Sequence, residues 1–347
     1  MNQARELVTS VVDGGEHGGE PAGGIVGAFA SGSQFVGLGN SRSNLNVYLV
    51  GRRADGPAGI PDRGLSTSAL DVERIDLDAL DDGVAAVERG APRAGDITAL
   101  LAHRATRELL VRFHYAEILA DPGGQLTVLK KRLAEAESAL RQQLICWHTL
   151  QCVNFRDDYI GAVEAGDRDT AEANSGRILT AALQAFLAGC GEYYAGDKWT
   201  WAKLRRSGAG RDLVEAARAA TFTSVPATAR RRGEHKVELA QVLVSAAITK
   251  GWDAPAAAAW SAVPRAERVT LSAAWFPVRF ADRLTMDTVE KAQTSISVQG
   301  VELWASSVRG GPAEVVDHVA AGLGAPRAEV ARYLDTIVGH GMVSFHD

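Results

Sequence analysis

The 347-residue sequence contains few cysteines and no arrangement of them that suggests a metal site or a disulfide framework. Cys146, Cys152 and Cys190 lie within helical patterns, with no CxxC pair and no cluster of histidine and cysteine. Disulfides are rare in reducing compartments, whereas buried free thiols are common there. We therefore predict that these cysteines are buried thiols of a cytoplasmic protein.

Long hydrophobic runs and a strong charge of one sign are also missing. No apolar run reaches the roughly 20 residues that span a bilayer, and no basic-then-apolar signal sequence is present. The net charge of -5 gives no general attraction to nucleic acid or to anionic lipid. We predict no membrane partner, and a DNA-binding role would need a local basic patch. The 46% hydrophobic content is ample for two or three domain cores.

A strand pattern that ends in a glycine-serine turn is the most informative feature that is present. Residues Ile25 to Phe29 are apolar and suited to a strand, and Ser31, Gly32 and Ser33 follow them. The backbone N–H groups and hydroxyls of such a turn can meet phosphate oxygens. Gly32 and Ser33 are therefore expected to hold a triphosphate.

Two further strand patterns place polar side chains on one face each. Period-two alternation puts Asn44 and Asn46 on one side of a strand, with leucine and valine residues on the other side. A third candidate strand, Leu70 to Ile75, likewise projects Asp71 and Glu73 from a single face. We expect the polar groups of these neighbouring strands to converge on one pocket.

This order of motifs resembles the nucleotidyltransferase superfamily, which includes aminoglycoside, lincosamide and minimal nucleotidyltransferases. The family signature is Gly-Ser or Gly-Gly, about ten residues, Asp-x-Asp or Asp-x-Glu, and an acidic residue on a later strand. The resemblance is specific over residues 24–78 and looser through a helical segment that ends near Arg206. The matching positions are Gly32, Ser33, Asn44, Asn46 and either Asp71 or Glu73.

The resemblance implies a degenerate site, because asparagines stand where family members have metal-binding carboxylates. Those carboxylates bind two Mg²⁺ ions that bridge the nucleotide phosphates. Two unit charges about 4 Å apart interact by roughly 4 kcal/mol at an effective dielectric constant near 20, and an amide lacks that charge. Asn44, Asn46 and Asp71 are thus expected to be weak Mg²⁺ ligands. The protein is expected to bind ATP, another nucleotide or a partner with little transfer.

An active enzyme is the alternative reading of the same residues. Asp71, Glu73 and the substrate phosphates would then hold one Mg²⁺ ion. Asp71 or Glu73 would also act as the general base for the hydroxyl of a small-molecule or peptide acceptor. The reaction would transfer a nucleoside monophosphate from ATP to that acceptor.

Two basic residues are candidates for nucleotide binding outside the motif. Arg42 precedes Asn44 in its loop and is able to reach a triphosphate, or it is an ordinary exposed arginine. Lys198 would neutralise phosphate charge, or it caps a helix or forms a surface ion pair. Both alternatives remain open from the sequence.

The domain plan predicted from the sequence is α+β: a small mixed sheet with helices, a helical domain, and a winged-helix-like C-terminal unit. A further helix is predicted near the N-terminus, over residues 2–13, and a surface loop over residues 56–61. The predicted domains are 1–95 (nucleotidyltransferase-like), 96–222 (helical), 223–294 (helical linker or extension) and 295–347 (winged-helix-like).

The last unit combines two amphipathic helix patterns, Pro312 to Leu323 and Arg327 to Val338, with a terminal strand or wing at residues 341–345. It resembles a winged helix, and also the small peptide-clasping domain of peptide natural-product pathways, in which a tryptophan precedes two helices. A structural or oligomerising role, recognition of a peptide or protein, and DNA reading all stay open. The few basic residues of its second helix argue against DNA. The resemblance implies an accessory component of specialised biosynthesis.

Overall fold

The fold is described from a computed structural model, which covers residues 24–52, 70–96, 104–222, 229–260, 269–290 and 292–346. The helix predicted at residues 2–13 and the loop predicted at residues 56–61 lie outside the described residues. Within these ranges the chain is α+β, and it divides into two compact units. The first comprises residues 1–90, 97–140 and 194–199, and the second comprises the remainder.

A four-stranded mixed sheet organises the first unit. Its strands are β1 (Ile25–Ser31), β2 (Leu45–Gly51), β3 (Leu70–Asp76) and β4 (Glu117–Ala120), and their order is β3-β2-β1-β4. β1 is antiparallel to both β2 and β4, whereas β2 is parallel to β3. The apolar strand predicted before the turn and the two strands predicted from period-two patterns are confirmed, and so is the small mixed sheet.

The two faces of the sheet differ in what covers them. One face carries a cluster of small and aliphatic residues in which Leu45 and Val47 are buried, as the alternation predicts. On the other face Phe29 stacks on Tyr48, with ring centroids 4.7 Å apart, and also contacts Phe113 at 4.9 Å. The polar residues predicted for the site belong to this second, aromatic face.

The helices of the first unit are α1 (Leu77–Glu88), α2 (Arg104–His114) and α3 (Gln125–Glu135), and α4 (Glu137–Glu164) begins in it. α1 starts directly after β3 because the side chain of Asp76 accepts a hydrogen bond from the N–H of Asp78, which caps the helix. Phe113, which covers the aromatic face of the sheet, lies on α2.

The strand β4 corrects the prediction that residues 96–222 are purely helical. Glu117–Ala120 pairs with the edge of β1, and residues 97–140 belong to the unit that contains the sheet. A segment of four residues is too short for its periodicity to distinguish a strand from a helix. The partner strand, about 90 residues earlier in the chain, decides its conformation.

The second unit is built around long helices. Its helices are α5 (Arg168–Gly189), α6 (Thr200–Arg206), α7 (Arg211–Phe222) and α8 (Ala229–Thr249), together with most of α4. α5 and α8 pack closely, and the ideal Cβ position of Gly251 lies only 2.5 Å from the Cα of Gly189. Cys146 and Cys152 are buried free thiols as predicted, whereas Cys190 is partly exposed. None of the helices in the described ranges has the length and apolar content required to cross a bilayer.

The prediction of a helical extension over residues 223–294 is wrong for its second half. That part forms β5 (Val269–Leu271), β6 (Phe276–Arg279), β7 (Leu284–Asp287) and β8 (Gln293–Ser295). The strands β6, β7 and β8 make an antiparallel sheet in that order. Each strand has only three or four residues, so the pairing of neighbours, rather than local periodicity, determines the structure.

The C-terminal part contains α9 (Val298–Ser306), α10 (Pro312–Leu323), α11 (Arg327–Gly339) and β9 (Val343–Phe345). The two predicted helices and the terminal strand are confirmed. β9 pairs antiparallel with β5, which precedes the predicted boundary at residue 295. Trp304 is fully buried, and its Nε1 donates a hydrogen bond to the carbonyl of Met342 at 3.1 Å. This contact joins α9 to the strand that ends the chain.

Candidate functional site

The glycine-serine turn directly follows β1. Gly32 is buried and has a φ of 142°, a conformation that residues with a side chain rarely adopt. Its ideal Cβ position lies 3.5 Å from Oδ1 of Asn46, so the turn runs beside that amide. The carbonyl of Ser33 accepts hydrogen bonds from the N–H groups of Leu38 and Gly39 at 2.8 and 2.9 Å, which closes the loop.

The structure brings together Asn44, Asn46 and Asp71. Asn46 on β2 stands beside Asp71 on β3 in the parallel register. Nδ2 of Asn44, the residue before β2, donates a hydrogen bond to Oδ2 of Asp71 at 3.1 Å. All three residues are half-buried. The fold thus brings polar residues of β2 and β3 side by side, and that they line one pocket stays a prediction.

The bond between Asn44 and Asp71 determines what this cluster can bind. A carboxylate only accepts hydrogen bonds, so the amide must present its nitrogen and not its oxygen to Asp71. That arrangement directs an N–H group, which cannot ligate a metal, at an oxygen that a metal would use. The described residues contain no group of three or more histidine, cysteine, aspartate or glutamate side chains that could hold a metal ion. The donor set therefore does not fit a two-metal centre.

Tyr48 extends the same face of β2 and was not singled out from the sequence. It is buried and stands beside Glu73 in the register of β2 and β3. Nη1 of Arg112, on α2, donates a hydrogen bond to its hydroxyl at 3.1 Å. Burial raises the pKa of Tyr48 to about 12, and the charge of Arg112 opposes that rise while Glu73 adds to it. Tyr48 is therefore a neutral hydroxyl at physiological pH.

Arg112 supplies the positive charge on this face. Its Nη2 and Nε donate to Oε1 of Glu108 at 2.6 and 3.2 Å, one helical turn earlier. Burial opposes the charged form, but Tyr48 and Glu108 outweigh it and hold the pKa of Arg112 above its usual value. The hydroxyl of Ser31 donates to the carbonyl of Arg112 at 2.7 Å, which fixes α2 to the end of β1.

Of Tyr48, Arg112 and Tyr194, only Tyr48 is indicated by a local pattern in the sequence. Tyr48 follows Asn44 and Asn46 in the same period-two series, so the alternation places it on their face. Arg112 lies in a helix more than 60 residues away and belongs to no motif. Tyr194 is close enough to be affected by the charge of Arg112, which opposes the rise that burial causes in the tyrosine pKa. No local pattern marks that contact.

The two basic residues predicted outside the motif are exposed. Arg42 lies in the loop before Asn44, where its backbone N–H donates to Oδ1 of Asn40 at 2.9 Å. Nζ of Lys198 lies 5.3 Å from the ring centroid of Trp199, which is a cation–π distance. A nucleotide role for either residue stays a prediction.

The comparisons with known proteins give only weak similarity. No family model and no curated protein matches this chain. Among solved structures, it is similar to a nucleotidyltransferase-like protein from Exiguobacterium sibiricum, with 13% identity and a TM-score of 0.40. The match covers 72% of this chain and 77% of that one. A similarity at this level carries no argument about function.

Proposed function

We propose that this protein has a nucleotidyltransferase fold and binds a nucleotide without transferring it. The observation that carries the proposal is the hydrogen bond of 3.1 Å from Asn44 to Asp71, beside the glycine-serine turn. Gly32 and Ser33 would receive the phosphates through backbone N–H groups, and Asn46 would face them from β2. Arg42 and Lys198 would add positive charge from exposed positions.

The loss of transfer follows from how Asp71 is satisfied. Two carboxylates side by side repel each other, and a divalent cation between them removes that repulsion. Here the amide of Asn44 takes the place of such a cation by donating its N–H group, so the cluster is stable without a metal. Asp71 and Glu73 are then the only predicted catalytic carboxylates. We propose that they do not assemble an efficient metal centre.

Titration of the purified protein with ATP, with and without Mg²⁺, tests this function. We expect calorimetric binding whose affinity changes by less than about threefold on addition of Mg²⁺, and no release of pyrophosphate. Binding that requires Mg²⁺ and releases pyrophosphate would establish the active alternative, with Asp71 and Glu73 holding the ion. Absence of binding under both conditions would also overturn the proposal.

A second candidate function concerns a groove between α9, α10 and α11. The groove has a volume of about 620 Å³, and its lining includes Leu323 and Tyr333, which are 36% and 38% exposed. Ser297 also lines it, and β8, the edge strand of the three-stranded sheet, ends two residues earlier. An edge strand offers backbone groups for pairing with an extended chain. We propose that this winged-helix-like part binds a peptide, as an accessory component in specialised biosynthesis.

Selection from a random peptide library on the full chain tests the peptide proposal. Enriched peptides are expected to bind the wild-type protein and to lose at least about tenfold in affinity to the Leu323→Glu variant, because the charge enters the apolar groove. Val128→Glu is the matched control, since Val128 is exposed on α3 of the first unit. Equal binding to all three proteins would contradict the groove as the site.

A further inference from the structure

A small cavity in the second unit is lined by basic side chains from three elements. Its volume is about 140 Å³, and Lys250, Arg309 and His318 line it together with Glu302 and Trp260. Lys250 follows the last residue of α8, Arg309 lies in a short 3-10 turn after α9, and His318 lies on α10. Two charged side chains, Lys250 and Arg309, and the imidazole of His318 therefore border one small space.

The carboxylates at and near this cavity each have a partner of their own. Glu302 is the one carboxylate among the described residues that line it, and it forms an ion pair with Lys250. Two more acidic residues lie on α10 near His318, but both interact elsewhere. Glu314 accepts the N–H of Gly311 at 3.2 Å, and Asp317 pairs with Arg327 at 2.7 Å.

His318 and Trp260 indicate which kind of ligand the cavity favours. Burial lowers the pKa of His318, and the charge of Arg309 lowers it further, so Arg309 is close enough for its charge to act on the imidazole. Nε1 of Trp260 is a buried donor with no hydrogen-bond partner in the part of the chain that the structure describes. Such a donor is unfavourable, and an acceptor that reached it would remove the penalty.

We propose that this cavity binds a small oxyanion, namely phosphate, either free or as the terminal group of a small ester. An arginine presents several N–H groups in a planar fork that matches the oxygens of a phosphate. The volume of about 140 Å³ corresponds to roughly four or five water molecules. That space is sufficient for a phosphate group. Glu302 opposes the anion, and its pairing with Lys250 limits that opposition.

NMR observation of the His318 ring during titration with inorganic phosphate tests the proposal. We expect a saturable shift of the ring signals and a rise in the His318 pKa on binding, because the anion offsets the charge of Arg309. Potassium chloride at the same ionic strength is expected to give no saturable shift. Glycerol phosphate distinguishes the two sources: tighter binding than inorganic phosphate indicates an ester, and weaker binding indicates the free ion.

Two variants separate the cavity from general surface charge. Arg309→Gln is expected to weaken phosphate binding by about tenfold or more, whereas Arg205→Gln, which removes an exposed arginine on α6, leaves it unchanged. If Arg309→Gln does not fold, calorimetry on His318→Gln takes its place, because His318 is exposed on a helix and tolerates substitution. A non-saturating shift, an unchanged affinity in Arg309→Gln, or an equal loss in Arg205→Gln overturns the proposal.

Discussion

Replacement of Asn44 by aspartate tests how the polar face of the sheet is held together. In the wild type, Nδ2 of Asn44 donates to Oδ2 of Asp71 at 3.1 Å. The variant Asn44→Asp removes that donor and places a second carboxylate in contact with Asp71. The variant Asn44→Ala removes the donor but adds no charge. The difference between the two variants therefore isolates the repulsion between the carboxylates.

The magnitude follows from two contributions. A hydrogen bond to a charged group contributes about 1.5–3 kcal/mol, and both variants lose it. Two like charges about 4 Å apart repel by roughly 4 kcal/mol at an effective dielectric constant near 20. Since Asn44 and Asp71 are only half-buried, solvent screening reduces that repulsion to about 1–2 kcal/mol. Asn44→Asp should thus be about 1–2 kcal/mol less stable than Asn44→Ala.

Urea unfolding at pH 7.5 and low ionic strength, in the presence of EDTA, measures the two losses. Replacing EDTA with millimolar Mg²⁺ should return much of the Asn44→Asp loss and leave Asn44→Ala unchanged, because a cation then bridges the carboxylates. The double variant with Asn46→Asp should gain more from Mg²⁺ than the single one. Equal stability of Asn44→Asp and Asn44→Ala, with no effect of Mg²⁺ on either, would refute the contact with Asp71.

Three further predictions concern the stability of the fold. Gly32→Ala should cost about 1–3 kcal/mol in urea unfolding because of its φ of 142°, whereas Gly176→Ala, inside α5 with open space around it, should stabilise the protein by about 0.5–1 kcal/mol. Arg156→Met should cost about 3–5 kcal/mol, since Arg156 is fully buried and pairs with Asp287 at 2.9 Å; a loss under 1 kcal/mol would contradict this. Burial raises the pKa of Glu238 to about 7, above its unfolded value, so its contribution is present at low pH and is lost as the pH rises from about 4.5 through 7. Glu238→Gln should therefore be about 1–3 kcal/mol more stable than the wild type at pH 8, with the advantage gone at pH 4.5.

The parts of the fold that the sequence predicts are those with a local cause. β1 is a continuous apolar run, β2 and β3 are long enough for alternation to show, and the amphipathic repeats of α10 and α11 each span three turns or more. The placement of Asn46 beside Asp71 also followed from local patterns, because each strand separately projects its polar residues from one face. The parallel register of β2 and β3 then places the polar residues of one strand beside those of the other.

The remaining features depend on partners that are distant in the sequence. β4 is a strand because β1 has a free edge, and β5 is a strand because β9 returns to it from the end of the chain. Arg112 reaches the site because Ser31 and Phe29 anchor α2 on the sheet through their contacts with the helix. Period and composition contain no information about such contacts. They are also the contacts that determine the charge of the site.

The charge of the site predicts that substitutions at Asn44 and Asn46 are coupled to each other. With aspartate at one of the two positions, the face would hold a new carboxylate in addition to Asp71 and Glu73. Arg112 would not balance it, because that arginine already pairs with Glu108. With asparagine at both, Asp71 gains a donor and the face needs no cation. A single substitution towards aspartate therefore creates a demand for a cation, which millimolar Mg²⁺ meets in part. The second aspartate should add more to Mg²⁺ binding than the first does, which makes the two positions non-additive.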